Sequence, residues 1–181
     1  MSGKTDRLKK DEAILKKEVF HMNRILAAVV LAMLAVAASF ANDHRAEKNK
    51  ATIRRVFTDI LSQGKYEVTA EIYAKDFVNH GTTKDIGIDE DEANNRGWRS
   101  AFPDLDITVE REIAEGDFVT VLWKATGTNT GSGNGLNATG KKTEGRGISV
   151  FRIVDGKIKE EWTEFSQLLV LRQLGLLPAR Q

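Results

Sequence analysis

From Lys50 onward the apolar residues recur at the helical period. Ile53, Val56, Phe57, Ile60 and Leu61 fall at i, i+3, i+4, i+7 and i+8, the single stripe of an amphipathic helix. Gly64 follows as the residue that ends it. Val68, Ile72 and Tyr73 suggest a second short helix, and residues 77–80 a brief extended segment closed by Gly81. The acid-rich run 85–92 predicts a third helix, because carboxylates favour the positive end of the helix dipole. Trp98, Ala101 and Phe102 lie on one side of it, and Pro103 stops it. Past Pro103 the period changes to two. Ile107, Val109 and Ile113 alternate in one strand, and Val119, Val121, Trp123 and Ala125 in the next. The Gly- and Asn-rich stretch 129–140 is expected to be the most flexible part of the domain.

The strongest local signal is the run 147–166, GISVFRIVDGKIKEEWTEFS. Asp155-Gly156 between two β-branched and aromatic runs marks a two-residue hairpin. Pairing Val154 with Lys157 in simple alternation sets Ser149 across from Trp162, Phe151 from Glu160 and Gly147 from Glu164. One face then carries Ser149, Phe151, Ile153, Ile158, Glu160, Trp162 and Glu164. The other carries Ile148, Val150, Arg152, Lys159, Glu161 and Thr163. The first face mixes large apolar groups with carboxylates, as a polar-tipped pocket would. Residues 167–174 predict a closing helix between Ser166 and Gly175. Helices first and strands afterwards make an α+β domain. Three helices are expected to cover the concave face of a strongly curved antiparallel sheet, leaving a ligand cavity between.

Ahead of this domain, residues 25–38 form an unbroken run of 14 apolar residues, preceded by Arg24 and followed by Ser39-Phe40-Ala41. That is the pattern of a signal peptide over 22–41, too short for a comfortable membrane span. Export to the periplasm or the medium is expected, with no stable membrane insertion after cleavage. A retained N-terminal anchor is the alternative. The charged stretch 1–21 does not belong to a signal peptide. Lys17-Glu18-Val19 can be encoded as a bacterial ribosome-binding site, so translation is expected to start at Met22. The single domain is then 42–181, with acidic residues slightly outnumbering basic ones. This balance, with no basic stripe, speaks against nucleic acid as a partner. The chain has no Cys, so it has no disulfide framework and no lipid-modified cysteine anchor. With one His in the domain body and no spaced ligand cluster, no metal is expected.

The opening NKATIRRVFTDILSQGKYEVTAEIYAKDFVNHG, the phrase AFPDLDITVEREIAEGDFVTVLWKATGT and the run GTNTGSGNGLNATGKK to QLGLLP resemble the SnoaL-like polyketide (ester) cyclases. Those belong to the cone-shaped α+β superfamily of nuclear transport factor two and ketosteroid isomerase. The resemblance covers roughly residues 46–178. It implies a cone-shaped curved sheet, homodimers, and a cofactor-free aldol ring closure on a small hydrophobic carbonyl compound. It also implies an acid–base carboxylate just after the hairpin tryptophan and a histidine on the preceding strand. Those positions correspond to Thr163 and Ser149, and a second family histidine to Asn129.

The candidate catalytic residues are therefore Glu164, next to the family's carboxylate position, with Ser149 and His80 orienting the substrate. Burial beside Trp162 would raise the pKa of Glu164 and suit it to proton transfer. Trp98, Trp123, Trp162 and Phe151 are the candidate lining for an apolar ligand. A cofactor-free isomerase, dehydratase or cyclase is one reading. The other is a non-catalytic ligand-binding or interaction module of the same fold.

Overall fold

The computed structural model describes residues 2–81 and 83–178. Side chains in the upstream segment 1–20, and that of Ala41 at the expected cleavage site, lie outside the described residues. The chain divides into two compact units between His44 and Arg45. The first unit is helical from Ser2, within the long helix α1 (Ser2–Arg55). It exposes apolar side chains such as Leu31, Met33, Leu34 and Phe40. Among the described residues no helix is long and apolar enough to cross a membrane.

In the second unit α1 ends at Arg55 and the chain continues as one wider, π-helical segment, Val56–Ser62. The predicted stripe is the buried one: Ile53, Val56, Phe57 and Ile60 are all at most 3% exposed. Gly64 takes the left-handed φ of +69° that ends the segment. Arg99 donates to the carbonyls of Leu61, Ser62 and Leu105, so helix carbonyls left without internal partners are satisfied by a guanidinium. A short turn and α2 (Thr69–Ile72) lead into β1 (Tyr73–His80). Tyr73, read as the end of the second helix, opens this strand. Then follow β2 (Asp85–Ile86), α3 (Ile88–Ala101), β3 (Asp106–Glu115), β4 (Phe118–Thr128), β5 (Lys142–Val154), β6 (Lys157–Phe165) and α4 (Gln167–Leu174).

The six strands form one curved, unclosed sheet in the order β2-β1-β6-β5-β4-β3. All neighbours are antiparallel except β1 and β6, which run parallel. The core lies between the inner face of this sheet and the helical segments. It holds Phe57, Ile60, Tyr73, Phe77, Val119, Val121, Trp123, Phe151, Ile153 and Ile158.

Two departures from simple alternation shape the sheet. In β3 the pairing passes from Val109↔Trp123 to Arg111↔Leu122, leaving Glu110 as an extra residue. Ile107 and Val109 face the core, whereas Ile113, expected beside them, is turned out and exposed. A bulge shifts every later side chain to the other face. The second departure, in β6, decides the site. Within the 129–140 stretch one side chain gathers the backbone around itself. Asn129 is fully buried. Its amide donates to the carbonyls of Ala101 and Gly131, and its Oδ1 accepts from the Thr139 amide and hydroxyl. Ser166 precedes α4 as expected, but its hydroxyl bridges Arg146 on β5 and does not cap the helix.

Candidate active site

The hairpin turn has the predicted conformation, with Asp155 and Gly156 both at positive φ. Val154 pairs with Lys157 and Ile153 with Ile158, as alternation requires. The next pair is Arg152↔Glu160, so Lys159 is a bulge. Both Ile158 and Phe165 pack in the core, yet they are separated by an odd number of positions. Strict alternation would bury only one of them, and one extra residue reconciles both. Beyond the bulge the register is Phe151↔Glu161, Ser149↔Thr163 and Gly147↔Phe165.

This corrects the expected faces. Glu161 and Thr163 share the inner face with Ser149 and Phe151. Glu160, Trp162 and Glu164 turn outward, and Glu164, paired with Ile148, is exposed. Trp162 therefore does not line the inner face, and Glu164 is not buried beside it. His80 is on the outer side as well. Its ring stacks on Trp162 at 4.6 Å and 14°. Its Nδ1 is 3.2 Å from Asp85 and its Nε2 is 3.3 Å from Glu160. Glu160 in turn accepts from Arg152 at 2.6 Å. The structure thus joins His80 to Trp162 and separates both from Ser149.

On the inner face a directed chain of hydrogen bonds runs along the sheet. Trp123 Nε1 donates to Ser149 Oγ at 2.9 Å. Ser149 Oγ and Thr163 Oγ1 are 2.7 Å apart. Thr163 Oγ1 donates to Glu161 Oε1 at 2.7 Å. The Thr163 proton is thus committed to Glu161 and the Ser149 oxygen to Trp123, so the Ser149 proton goes to Thr163. Gly147 makes the start of this chain possible, because a Cβ there would run into the Trp123 indole.

The chain ends beside a second carboxylate. On α3, Ile88, Asp91, Asn95 and Trp98 fall at helical spacing toward the sheet. Asp91 is 7% exposed. Its Oδ1 accepts from Asn79 Nδ2 at 2.7 Å and its Oδ2 from Asn95 Nδ2 at 3.0 Å. Asn79 is the β1 partner of Glu161 in the parallel pairing, so Asp91 sits across that seam from Glu161. Burial, reinforced by the charge of Asp91, pushes the Glu161 carboxyl up to about 8, against the opposing effect of the Thr163 bond. Burial also raises Asp91, with its two amide donors working the other way. The buried Tyr73 phenol is pushed well above its ordinary value by burial and then by these two carboxylates.

Around this polar cluster the inner face is aromatic. Phe57 meets Phe151 edge-on at 6.0 Å and lies 6.4 Å from Trp123. Phe165 lies 6.3 Å from Trp123 and meets Trp98 edge-on at 5.9 Å. Of the proposed lining residues, Trp98, Trp123 and Phe151 are thus brought together. Asn79, Asn95, Glu161 and Thr163 are half-buried as whole residues. Among the described residues no group of three or more His, Asp or Glu is placed to hold a metal ion. A separate open groove, lined by residues including Lys124, Lys142, Leu169 and Gln173, shares none of these side chains.

A carboxyl on the inner face of the last strand and helices packed with aromatic side chains over a curved, unclosed sheet give the nuclear transport factor two-like fold. Residues 51–174 match the description of the SnoaL-like polyketide cyclases, and the chain belongs to that family. Solved structures agree. A candidate hydroxylase, AclR from Streptomyces galilaeus, superposes with a TM-score of 0.69 at 24% identity, covering 75% of this chain and 86% of its own. A candidate SnoaL-like polyketide cyclase from Jannaschia gives 0.67 at 25% identity, covering 74% and 95%. IdmH, a candidate polyketide cyclase from Streptomyces antibioticus, gives 0.60 at 28% identity, covering 70% and 98%. No match was found among curated proteins.

Proposed function

We propose that this chain is an exported, cofactor-free acid–base enzyme acting on a small hydrophobic carbonyl compound, with Glu161 as the proton carrier. One observation carries this reading. A carboxyl whose pKa is raised to about 8 lies on the inner face, at the end of a hydroxyl relay and under aromatic side chains. A group titrating near the working pH is best suited to both accept and return a proton. In its ionised form Glu161 takes a proton from the carbon next to the substrate carbonyl. The carboxyl so formed returns the proton to the product. Ser149 and Thr163 hold the acceptor oxygen in place, and Trp98, Trp123 and Phe151 receive the apolar body of the substrate. The candidate hydroxylase and cyclase activities of the structural relatives agree with a small-molecule pocket without deciding the reaction.

A second reading, a binding module without turnover, is favoured by one feature. Hydroxyls at Ser149 and Thr163 stand where the resemblance implies an imidazole and a carboxylate. Deuterium exchange separates the two. The protein is incubated in heavy water with a panel of aromatic ketones and β-keto esters, and exchange at the carbon next to the carbonyl is followed by NMR. The enzyme reading expects exchange that rises with pH toward about 8 and is lost in Glu161→Gln. Binding with no exchange by the parent protein supports the module.

Export rests on the apolar run 25–38 behind Arg24. Homodimerisation rests on the outer sheet face. There Phe118, Leu122, Ile148 and Trp162 are 36–50% exposed on three adjacent strands, a contiguous apolar patch of the kind that marks an interface. Sedimentation of the parent and of Ile148→Glu tests this: a dimer that dissociates in the variant supports it, and a monomeric parent refutes it.

A further inference from the structure

The reading above gives Glu161 a role and leaves Asp91 without one. A buried aspartate on a helix is costly unless its oxygens are satisfied. Here both are, by amides from two different elements: Asn79 on β1 and Asn95 one turn further along α3. Amide donors stabilise the ionised carboxylate, which only accepts. Glu161 is furnished differently, with one hydroxyl donor, on Oε1, leaving its second oxygen able to carry a proton. The two carboxyls are therefore furnished differently, with two amide donors on Asp91 and one hydroxyl donor on Glu161.

We propose that Asp91 is the positioning partner of Glu161: a buried carboxyl fixed by Asn79 and Asn95 beside the β1–β6 seam, coupled to Glu161 so that the two do not ionise together. Asp91 bonds the strand partner of Glu161, and two neighbouring like charges in a buried site resist ionising together, which raises their titration above the ordinary carboxylate range. Asp91 thereby makes Glu161 a stronger base than an isolated glutamate and holds its proton in place between turnovers. The other titratable group acting on the pair is Glu92 on α3, whose charge raises Asp91. The Tyr73 phenol on β1, kept neutral by burial and by the two carboxylates, adds no charge. His80, the remaining titratable group of this strand end, is on the opposite face of the sheet with Trp162 and Glu160.

This inference rests on the assignment of Glu161 as the proton carrier, and the test separates the two. The intact protein is labelled with carbon-13 at the aspartate and glutamate carboxyls and titrated by NMR. In the parent, Asp91 and Glu161 are expected to show two inflections at the same two pH values, because the steps belong to the pair. In Asp91→Asn, the Glu161 midpoint is expected to fall by about one unit or more. If Glu161 titrates high in the parent and equally high in Asp91→Asn, the Asp91 role fails while the Glu161 assignment stands. If Glu161 titrates at its ordinary position in the parent, the Glu161 assignment itself fails. Should Asp91→Asn not fold, the parent titration decides alone: a single inflection at Glu161 with no counterpart at Asp91 overturns the proposal.

Discussion

Replacing Glu161 with Gln should change how the stability of the protein depends on pH. The variant keeps the accepted bond from Thr163, since a Gln carbonyl occupies the place of Oε1, and it removes the titration. In the parent, the carboxyl has its ordinary pKa of 4.5 when unfolded and about 8 when folded. Between these values the folded state binds more protons than the unfolded state, so stability falls as pH rises through the window. The slope approaches about 1.4 kcal/mol per pH unit for one proton. The whole span corresponds to roughly 5 kcal/mol. Partial contact with water and electrostatic coupling to Asp91 bring the expected parent-minus-variant change to about 2–3 kcal/mol between pH 5 and 8. For a domain of this size that is a relative shift of about 6–10 °C in Tm. Thermal unfolding of both proteins at half-unit intervals measures it. The parent should lose ground steadily against Glu161→Gln from pH 5 to pH 8 and no further above it. Parallel curves over this range would refute the buried neutral carboxyl.

Other substitutions report on the surroundings. Ser149→Ala leaves the Trp123 indole N–H without its acceptor in a buried site, and urea unfolding should show a loss of about 1–3 kcal/mol. Gly147→Ala drives a methyl into the Trp123 ring; a loss of about 1–3 kcal/mol and an altered tryptophan emission spectrum are expected. Glu164→Gln, on the exposed outer face, should change stability by no more than about 0.5 kcal/mol and leave the Glu161 titration where it was. Asn129→Ala removes four bonds from a buried side chain that organises the 129–140 loop, and a loss of at least about 2 kcal/mol in urea unfolding should follow.

Much of the architecture is legible from residue periodicity. The stripe Ile53, Val56, Phe57 and Ile60 is buried as its spacing requires, β4 alternates throughout, and Asp155-Gly156 places the hairpin. The site is harder to read because it depends on parity. From Ile158 forward, alternation turns Glu160, Trp162 and Glu164 inward. From Phe165 backward, it turns Thr163 and Glu161 inward. A bulge at Lys159 satisfies both core residues, and the conflict between Ile158 and Phe165 was the available signal for it. The same parity argument applies at Glu110, where Ile113 gives way to Ala114 on the inner face. Asp91 was hidden for a different reason. In an acid-rich helix start, a carboxylate is explained by the dipole. Only the spacing Ile88, Asp91, Asn95 and Trp98 shows that this one belongs to the buried side. His80 stands next to Asn79 on a strand, and neighbours on a strand face opposite ways. The amide therefore reaches the inner cluster, and the imidazole stacks on Trp162 outside.

The central claim is that Glu161 is an inner-face carboxyl that titrates far above the ordinary carboxylate range. The most direct measurement is the carbon-13 titration of the Glu161 carboxyl in the intact parent protein. A midpoint near 8 is the predicted result, and a midpoint near the ordinary 4.5 would contradict it.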